Sequence, residues 1–334
     1  MLKKLVLSST LLVFLVVVFG AFVRLTDAGL GCPDWPGCYG HIAVPESEAA
    51  QQHAAQNFPN SKIETGKAWR EMTHRYLAGT LGLLLLAIAI VSWRSRHNGV
   101  RPGIPILLVG LVIFQSLLGM WTVTMLLKPV IVTLHLLGGM TILSLLVWLS
   151  MVHFSAQENT ASSQSNRLAI WAILGVLILF IQIALGGWVS SNYAALACAD
   201  FPMCDSQWLP AVDFHHGFQF TRELGVTIDG EPLPGDALNA IHWTHRVGAL
   251  VTFLYLFLLG IRAWKIRPLR ICASWVIFSL VVQVSIGISN VVLSLPLPLA
   301  VAHNAGAALL LASLIVLVFK IMEPSPNFKK MDLT

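Results

Sequence analysis

Four histidines have the positions expected of metal ligands inside a membrane. Each lies near the start of a long apolar segment, and the four form two matched pairs, His74 with His135 and His245 with His303. An ionisable side chain within a membrane helix is rare and usually functional. Facing imidazoles from two helices of a bundle can supply both axial ligands of a haem iron. The two pairs therefore predict two haem sites, whereas a single zinc site would need four ligands at one point.

Three arginines are candidates for binding the propionate groups of these haems. Arg75 and Arg246 directly follow a histidine in the repeated sequence Thr-His-Arg, and Arg24 lies at the end of the first apolar segment. A guanidinium binds a carboxylate through paired, charge-assisted hydrogen bonds, which suits a propionate at the membrane edge. The alternative is that these arginines only reach along their helices to the polar membrane surface.

One carboxylate distinguishes the two histidine pairs. Glu71 stands one turn before His74 on the same helical face, whereas the corresponding residue before His245 is His242. A carboxylate beside only one haem site predicts that the first half performs chemistry, with Glu71 as its catalytic residue, and that the second half carries electrons. The alternative is that Glu71 is simply favourable in the first turn of its helix.

Four cysteines form two close pairs outside the apolar segments. Cys32 lies six residues before Cys38, and Cys198 lies six residues before Cys204. In an oxidising outer compartment the two pairs would form structural disulfides that stiffen loops above the haem sites. A zinc site built from both loops and a redox-active dithiol in each loop are the alternatives. Cys272, within an apolar segment, is left over and is expected to pack in the core.

The elements that must position these residues are membrane helices. Of the 334 residues 56% are hydrophobic and 11% are charged, whereas a soluble protein carries roughly a quarter charged residues. Eight apolar stretches are close to the ~20 residues that cross a bilayer. They lie near residues 5–23, 71–93, 104–126, 130–152, 168–190, 240–262, 271–293 and 299–321. The sequence therefore predicts an all-α polytopic membrane protein that binds lipid and not nucleic acid.

An internal repeat relates the two halves of the chain. The cysteine loop at 28–38 matches 194–204, and the segment at 72–79 matches 243–250, with the histidines and cysteines in register. Because each half has four spans, an even number, both copies have the same orientation in the membrane. We therefore predict two tandem four-helix bundles, related by a pseudo-two-fold axis along the membrane normal.

The distribution of basic residues predicts the orientation. Most of the 21 Lys and Arg residues lie in the short loops and chain ends on the side of the two termini, although the opposite loops, 24–70 and 191–239, are much longer. Basic residues accumulate on the cytoplasmic side of membrane proteins. We predict cytoplasmic termini in a cell inner membrane, with the cysteine loops and haem sites toward the periplasm. The first apolar run exceeds the length of a signal peptide core and is expected to remain as a helix.

Five motifs, in this order, resemble those of one enzyme family. They are "FVRLTDAGLGCPDWPGCYG", "EMTHRYLAG", "TLHLLGG", "THRVGAL" and "AHNAGA". They are similar to the sequences of haem A synthases, membrane enzymes that convert haem O to haem A for cytochrome oxidases. The resemblance covers residues 1 to 322, and the string Gly-Leu-Gly-Cys-Pro-Asp-Trp-Pro within it is rare.

The resemblance implies a division of labour between the two halves. The N-terminal bundle would bind the substrate haem O between His74 and His135, and the C-terminal bundle would bind a haem b between His245 and His303. One porphyrin methyl group of haem O would be oxidised to a formyl group by successive hydroxylations, with Glu71 important for the reaction.

One residue departs from the pattern of the family. His242 stands where no histidine is expected, and it could compete with His245 for the iron. The repeat and the resemblance together give the expected domain limits. They are 1–155 for the N-terminal bundle with the haem O site, 156–167 for a cytoplasmic linker, 168–322 for the C-terminal bundle with the haem b site, and 323–334 for a cytoplasmic tail.

Two other classes of function stay open at this point. A di-haem electron carrier would exchange electrons with quinone without altering either haem, but it would not need the unmatched Glu71. A transporter could use the histidines as a proton relay, but transporters usually place their sites near the membrane midplane. The expected partners are a farnesyltransferase that supplies haem O and an electron partner that the sequence does not identify; a second copy of the chain is an open option.

Overall fold

A computed structural model describes residues 1–154 and 166–322 of the protein, and the regular secondary structure of this part of the chain is all helical. In chain order the α-helices are α1 (Leu2–Leu25), α2 (Glu48–Asn57), α3 (Thr65–Arg94), α4 (Gly103–Thr124), α5 (Pro129–Phe154), α6 (Asn166–Ser191), α7 (Phe214–Gly217), α8 (Gly235–Trp264), α9 (Arg270–Val292) and α10 (Leu297–Met322). All except α2 and α7 are long and apolar enough to span a membrane, which confirms the predicted all-α fold with eight spans. Residues 156–165 of the predicted linker and the predicted tail, 323–334, lie outside the described residues.

Two of the spanning helices begin well before their predicted limits. α3 begins at Thr65 and α8 at Gly235, whereas the apolar pattern predicts starts near residues 71 and 240. Their first turns are polar, so a hydropathy window excludes them although they continue the helix. His74 and His245 are therefore the tenth and eleventh residues of their helices and lie further from the helix start than their place near the start of the apolar segments predicts.

The helices of each half pack in the same order. In the first half α1 packs against α3, α3 against α4, α4 against α5, and α5 against α1, so α3 and α5 are diagonally opposite. In the second half α6, α8, α9 and α10 form an equivalent ring in which α8 and α10 are diagonal. We call these rings the first and second bundle. That they are related as parallel tandem repeats stays a prediction.

The two bundles share one hydrophobic core. α1 and α5 of the first bundle pack against α6 and α10 of the second, and α10 also contacts α5 directly. Fully buried Val6 and Leu146 from the first bundle belong to the same apolar cluster as Ala172 and Leu314 from the second. The two histidine-bearing rings are thus held together over much of their length by apolar contacts.

The two long loops contain further structure at the same end of the molecule. α2 lies in the loop after α1, and Ser47 caps it by accepting the amide proton of Ala50 at 3.2 Å. The sequence does not predict α2. In the loop after α6, α7 covers only Phe214–Gly217, and Asp213 caps it. This helix is a single turn.

Candidate functional site

The first histidine pair lies across the centre of the first bundle. His74 on α3 and His135 on α5 approach each other from diagonally opposite helices, with ring centroids 6.4 Å apart and an interplanar angle of 74°. Both side chains are partly accessible although they lie within spanning helices. Among the described residues, Nδ1 of each ring has no hydrogen-bond partner. Unpaired polar atoms inside a bundle are costly, so this pair suits a ligand.

The separation of the two rings fits a shared metal. An imidazole nitrogen lies about 2.0–2.1 Å from a metal that it binds and roughly 1 Å from its own ring centre, so two rings on opposite sides of one metal have centres about 6 Å apart. The 6.4 Å between His74 and His135 agrees with this spacing. No group of three or more His, Cys, Asp and Glu residues within 1–154 and 166–322 could hold a metal ion, which disfavours the zinc alternative.

A glycine on a neighbouring helix faces each of the four histidine rings. The pairs are Gly20–His74, Gly119–His135, Gly186–His245 and Gly287–His303. A Cβ atom at these glycines would lie 2.9 to 3.3 Å from Cε1 of the ring, closer than side chains normally approach. The Cε1 edge of each imidazole therefore lies against a helix backbone at a position where a side chain larger than glycine would meet the ring. Sequence reasoning missed these glycines, although the repeat places them in register.

The second histidine pair has the corresponding positions in the second bundle. His245 lies on α8 and His303 on α10, the two diagonal helices, and both are partly accessible. Gln182 Nε2 lies 3.0 Å from Nδ1 of His245, and Gln283 Nε2 lies 3.4 Å from Nε2 of His303. The structure thus places each predicted pair on two diagonal helices of one bundle, and the pairs stay in separate bundles.

Glu71 connects the first histidine helix to the cysteine loop above it. Its side chain is only 5% exposed, and Oε2 accepts the backbone amide proton of Cys32 at 2.9 Å. Oε1 accepts a hydrogen bond from Nη2 of Arg75 at 2.5 Å, which forms an ion pair. Arg75 also donates to the carbonyl oxygens of Asp34 and Gly37. Carboxylate, guanidinium and loop therefore form one network directly above His74.

His242 has the place of Glu71 in the second bundle. Cys198 N lies 3.2 Å from its Nδ1, and Arg246 Nε lies 3.3 Å from its Nε2. Arg246 also donates to the carbonyl oxygens of Met203 and Cys198. Both ring nitrogens of His242 are therefore directed at the loop and at Arg246, which argues against the expected competition with His245 for a metal.

The arginines have partners that the sequence does not predict. Arg75 and Arg246 fasten the loops to their helices, as described above. Arg24 reaches the second bundle, where it donates to Tyr193 Oη at 2.6 Å and to the carbonyl oxygen of Ser190 at 2.9 Å. Tyr193 Oη in turn donates to Asp27 at 2.8 Å. That these arginines bind propionates stays a prediction, and these contacts show that they also have structural partners.

Each cysteine loop contains one disulfide. Cys32 is bonded to Cys38, and Cys198 to Cys204, so the two loops do not join their cysteines in one site. Cys272 is free. The disulfide pairing is one of the arrangements that the sequence predicts.

An aspartate closes the turn at the end of each loop. Asp34 accepts the amide protons of Tyr39 and Gly40, and Asp200 accepts those of Asp205 and Ser206. The hydrogen bond from Ser206 is the main reason that the pKa of Asp200 lies below its ordinary value.

Tyr39, beside the first disulfide, is 2% exposed. Burial, reinforced by the nearby carboxylates Glu64 and Glu71, raises its pKa above the ordinary tyrosine value. Its hydroxyl therefore stays protonated and donates to the carbonyl oxygen of Lys62 at 3.0 Å, which holds the loop against the following segment.

Fold and site together define a multi-pass membrane protein with two histidine pairs, each on diagonal helices of one bundle, and with one disulfide-closed loop fastened to each bundle. Comparison with known families narrows this class: the model of the cytochrome oxidase assembly proteins, COX15-CtaA, matches residues 3–315, and the chain belongs to this family. This confirms the family resemblance predicted from the motifs.

Individual relatives give the same result. A protein named heme A synthase from Shewanella oneidensis is 42% identical over 313 residues, which cover 94% of each chain. Proteins of the same name from Shouchella clausii and Bacillus licheniformis are each 28% identical, over 334 and 315 residues respectively. The alignment with the Shouchella clausii protein covers 96% of this chain and 97% of the relative, and the alignment with the Bacillus licheniformis protein covers 90% of both.

Proposed function

We propose that this protein is an enzyme of haem A synthesis that oxidises a methyl group of haem O to a formyl group. The oxidation proceeds by successive hydroxylations and supplies haem A to cytochrome oxidase. The observation that carries the proposal is the pair His74 and His135, whose spacing across the first bundle suits a porphyrin iron. Family membership and the relatives named heme A synthase support it.

His74 and His135 hold the substrate in the first bundle. Each ring rests on a glycine, so the two imidazoles are positioned from opposite sides by helix backbones. The surrounding apolar helices keep water away from the reacting carbon. The partly accessible faces of the rings are where haem O makes contact.

His245 and His303 hold a haem b in the second bundle. A bound haem supplies one-electron redox chemistry, which side chains cannot provide. The contribution of the protein is ligation by the two imidazoles and second-sphere contacts from Gln182 and Gln283. Arg246 is available at the outer end of the same helix for a propionate, in addition to its loop contacts.

Glu71 is the catalytic carboxylate. It lies one helical turn from His74, is almost fully buried, and keeps a hydrogen-bonded link to Arg75. A carboxylate in this position can accept a proton released from the substrate. The ion pair with Arg75 holds the carboxylate in place for this role. His242, the corresponding group in the second bundle, has no negative charge to offer.

The two disulfide loops cover the sites at the periplasmic side of a cell inner membrane, with both termini in the cytoplasm. The eight apolar helices and the excess of basic residues on the terminal side support this orientation. A haem O synthase delivers the substrate, and a separate electron partner serves the second bundle.

The experiment replaces Glu71 with Gln and determines the pigments in membranes that also contain a haem O synthase. Glu71→Gln retains an oxygen that accepts the amide proton of Cys32, but it removes the charge and the proton acceptor. Loss of general acid–base catalysis typically lowers rates by about 100-fold or more. We expect haem A to fall accordingly while haem O and haem b persist.

The matched control is Glu48→Gln, which removes a carboxylate from the exposed start of α2. It should leave the haem A content unchanged. Normal haem A in the Glu71→Gln protein would exclude the catalytic role of this residue. A wild-type preparation that contains haem b but never haem A would favour a di-haem electron carrier.

A further inference from the structure

Three of the four histidines have a glutamine beside them on a neighbouring helix. The pairs are Gln115 with His135, Gln182 with His245, and Gln283 with His303. Each glutamine fills the space opposite a glycine three residues after the histidine, where a Cβ would overlap the amide oxygen. These glycines are Gly138, Gly248 and Gly306. His74 is the exception.

The amides reach the imidazole rings only in the second bundle. Gln182 Nε2 lies 3.0 Å from His245 Nδ1, and Gln283 Nε2 lies 3.4 Å from His303 Nε2. Gln182 Nε2 also donates to the main-chain carbonyl oxygen of His245, at 3.0 Å, and Gln115 Nε2 makes the corresponding contact with the carbonyl oxygen of His135, at 2.6 Å, without one to the ring. Among the described residues, Nδ1 of His74, His135 and His303 has no hydrogen-bond partner, whereas Nδ1 of His245 has Gln182.

The amide is missing at His74 because two positions of the repeat differ between the halves. By the register of the repeat, Val16 on α1 corresponds to Gln182 and Leu77 on α3 corresponds to Gly248. Val16 has no amide, and Leu77 has a side chain where Gly248 has none. The position of the amide beside His245 is therefore taken by apolar side chains in the first half.

We propose that the pair Gln182–Gly248 retains the haem of the second bundle by holding the His245 ring, and that the pair Val16–Leu77 leaves His74 free to release its ligand. This inference rests on the proposed function, because it requires one resident haem and one haem that enters and leaves. These four residues would then determine that the second bundle retains a cofactor and that the first bundle exchanges a substrate.

The chemistry of a second-sphere amide supports this assignment. A metal-bound imidazole keeps a proton on its other nitrogen, and an acceptor there fixes the ring and makes it a stronger ligand. An amide offers both a donor and an acceptor. Nε2 of Gln182 lies at Nδ1 of His245, and rotation of the amide presents Oε1, which has no partner within the described residues, to a protonated Nδ1. Loss of such a partner typically costs about 10–100-fold in metal affinity.

The test measures haem release from the purified, detergent-solubilised full chain to an excess of apomyoglobin, followed by absorbance. In Q182V/G248L the second bundle acquires the residues of the first. We expect haem b to leave this protein about 10-fold faster than wild type, or more. In V16Q/L77G the first bundle acquires the residues of the second, and we expect haem O to be retained about 10-fold longer.

A single variant, Gln182→Leu, removes the amide without enlarging residue 248 and keeps the test valid where the double variant does not fold. Gln115→Leu is the matched control, because its amide contacts a main-chain carbonyl of the first bundle. Release of haem b from the control should equal that of wild type.

Release rates of haem b from Gln182→Leu and of haem O from V16Q/L77G within about twofold of wild type would overturn this inference and leave the proposed function intact. A wild-type protein that binds haem in neither bundle would instead overturn the proposed function.

Discussion

At the residue scale, the site depends on contacts that a sequence does not display. The histidines are predictable because two duplicated pairs of ionisable residues in apolar segments are conspicuous. The glycines that face them are not, because their importance arises only where two helices meet. Gly20 and Gly186 have equivalent positions in the repeat, but the sequence does not show what these glycines contact. The contact with His74 or His245 supplies that role.

Substitution of Gly20 by alanine should displace the His74 ring. The added Cβ would lie 2.9 Å from Cε1, and the ring is the group that can move. Overpacking of this kind typically costs about 1–3 kcal/mol, which corresponds to roughly a 10-fold loss of affinity or more for a ligand that needs the ring in place. The measurement is the haem O content of the purified protein.

Gly79→Ala is the control for this prediction, because a Cβ at Gly79 has nothing within 4 Å. It should leave the haem O content at the wild-type value. Equal contents in the Gly20→Ala and Gly79→Ala proteins would show that the contact with His74 has no influence on binding.

At the scale of elements, each disulfide loop is fastened to the helix that carries a histidine. An acidic or imidazole side chain binds the amide of the first cysteine, an arginine one turn later binds loop carbonyls, and an aspartate closes the turn. The cysteine and aspartate positions are visible in the repeat, so a stiff loop is predictable. The arginine contacts are not, because a charged residue at the membrane edge has several equally suitable partners.

The early start of α3 and α8 is a second feature of the elements that the sequence does not predict. Hydropathy locates the part of a helix that crosses the membrane, but a helix continues wherever its backbone hydrogen bonds do. The polar turns from Thr65 and Gly235 extend toward the loops. In α3 this extension packs closely against the first loop, because the backbone of Lys67 and Ala68 lies beside Gly31.

Replacement of Arg75 by Gln should release the first loop from α3. The substitution removes the hydrogen bonds to Asp34 and Gly37 and leaves Glu71 without its ion pair. Hydrogen bonds to charged groups contribute about 1.5–3 kcal/mol each, so open forms of the loop should increase more than about 10-fold. Limited proteolysis with an aromatic-specific protease, read as cleavage at buried Tyr39, measures this opening.

Arg70→Gln serves as the comparison, since Arg70 lies at the same end of α3, its guanidinium lies 5.6 Å from the ring centre of Phe22, and it makes no hydrogen bond or ion pair with the first loop among the described residues. Cleavage of this variant should match wild type. If Arg75→Gln is cleaved no faster than Arg70→Gln, the loop is held by other contacts.

At the scale of the whole molecule, two bundles with separate sites share a continuous apolar interface. The halves could be divided from the sequence, because the cysteine and histidine motifs recur in order. Their packing against each other could not, because every spanning helix is apolar on all sides and no pattern singles out the contact face. The structure selects α1 and α5 on one side and α6 and α10 on the other, with Arg24 and Tyr193 joining the outer ends.

A chain divided within residues 156–165 should therefore reassemble. The apolar cluster extends over both bundles, and close packing of helices together with interhelical hydrogen bonds, such as that of Arg24 with Tyr193, stabilises their association in lipid or detergent. We expect the two halves, produced together, to co-purify in detergent with both haems bound. Halves that purify separately, each with its own haem, would show that the bundles fold and function independently.

The most direct test of the account is the pigment content of single histidine variants. Purified His74→Ala and His135→Ala proteins should lack the haem O and haem A that wild type carries and should keep haem b. His245→Ala and His303→Ala proteins should lack haem b. The account would be contradicted if His74→Ala lost haem b and kept haem O, or if all four variants retained the pigments of wild type.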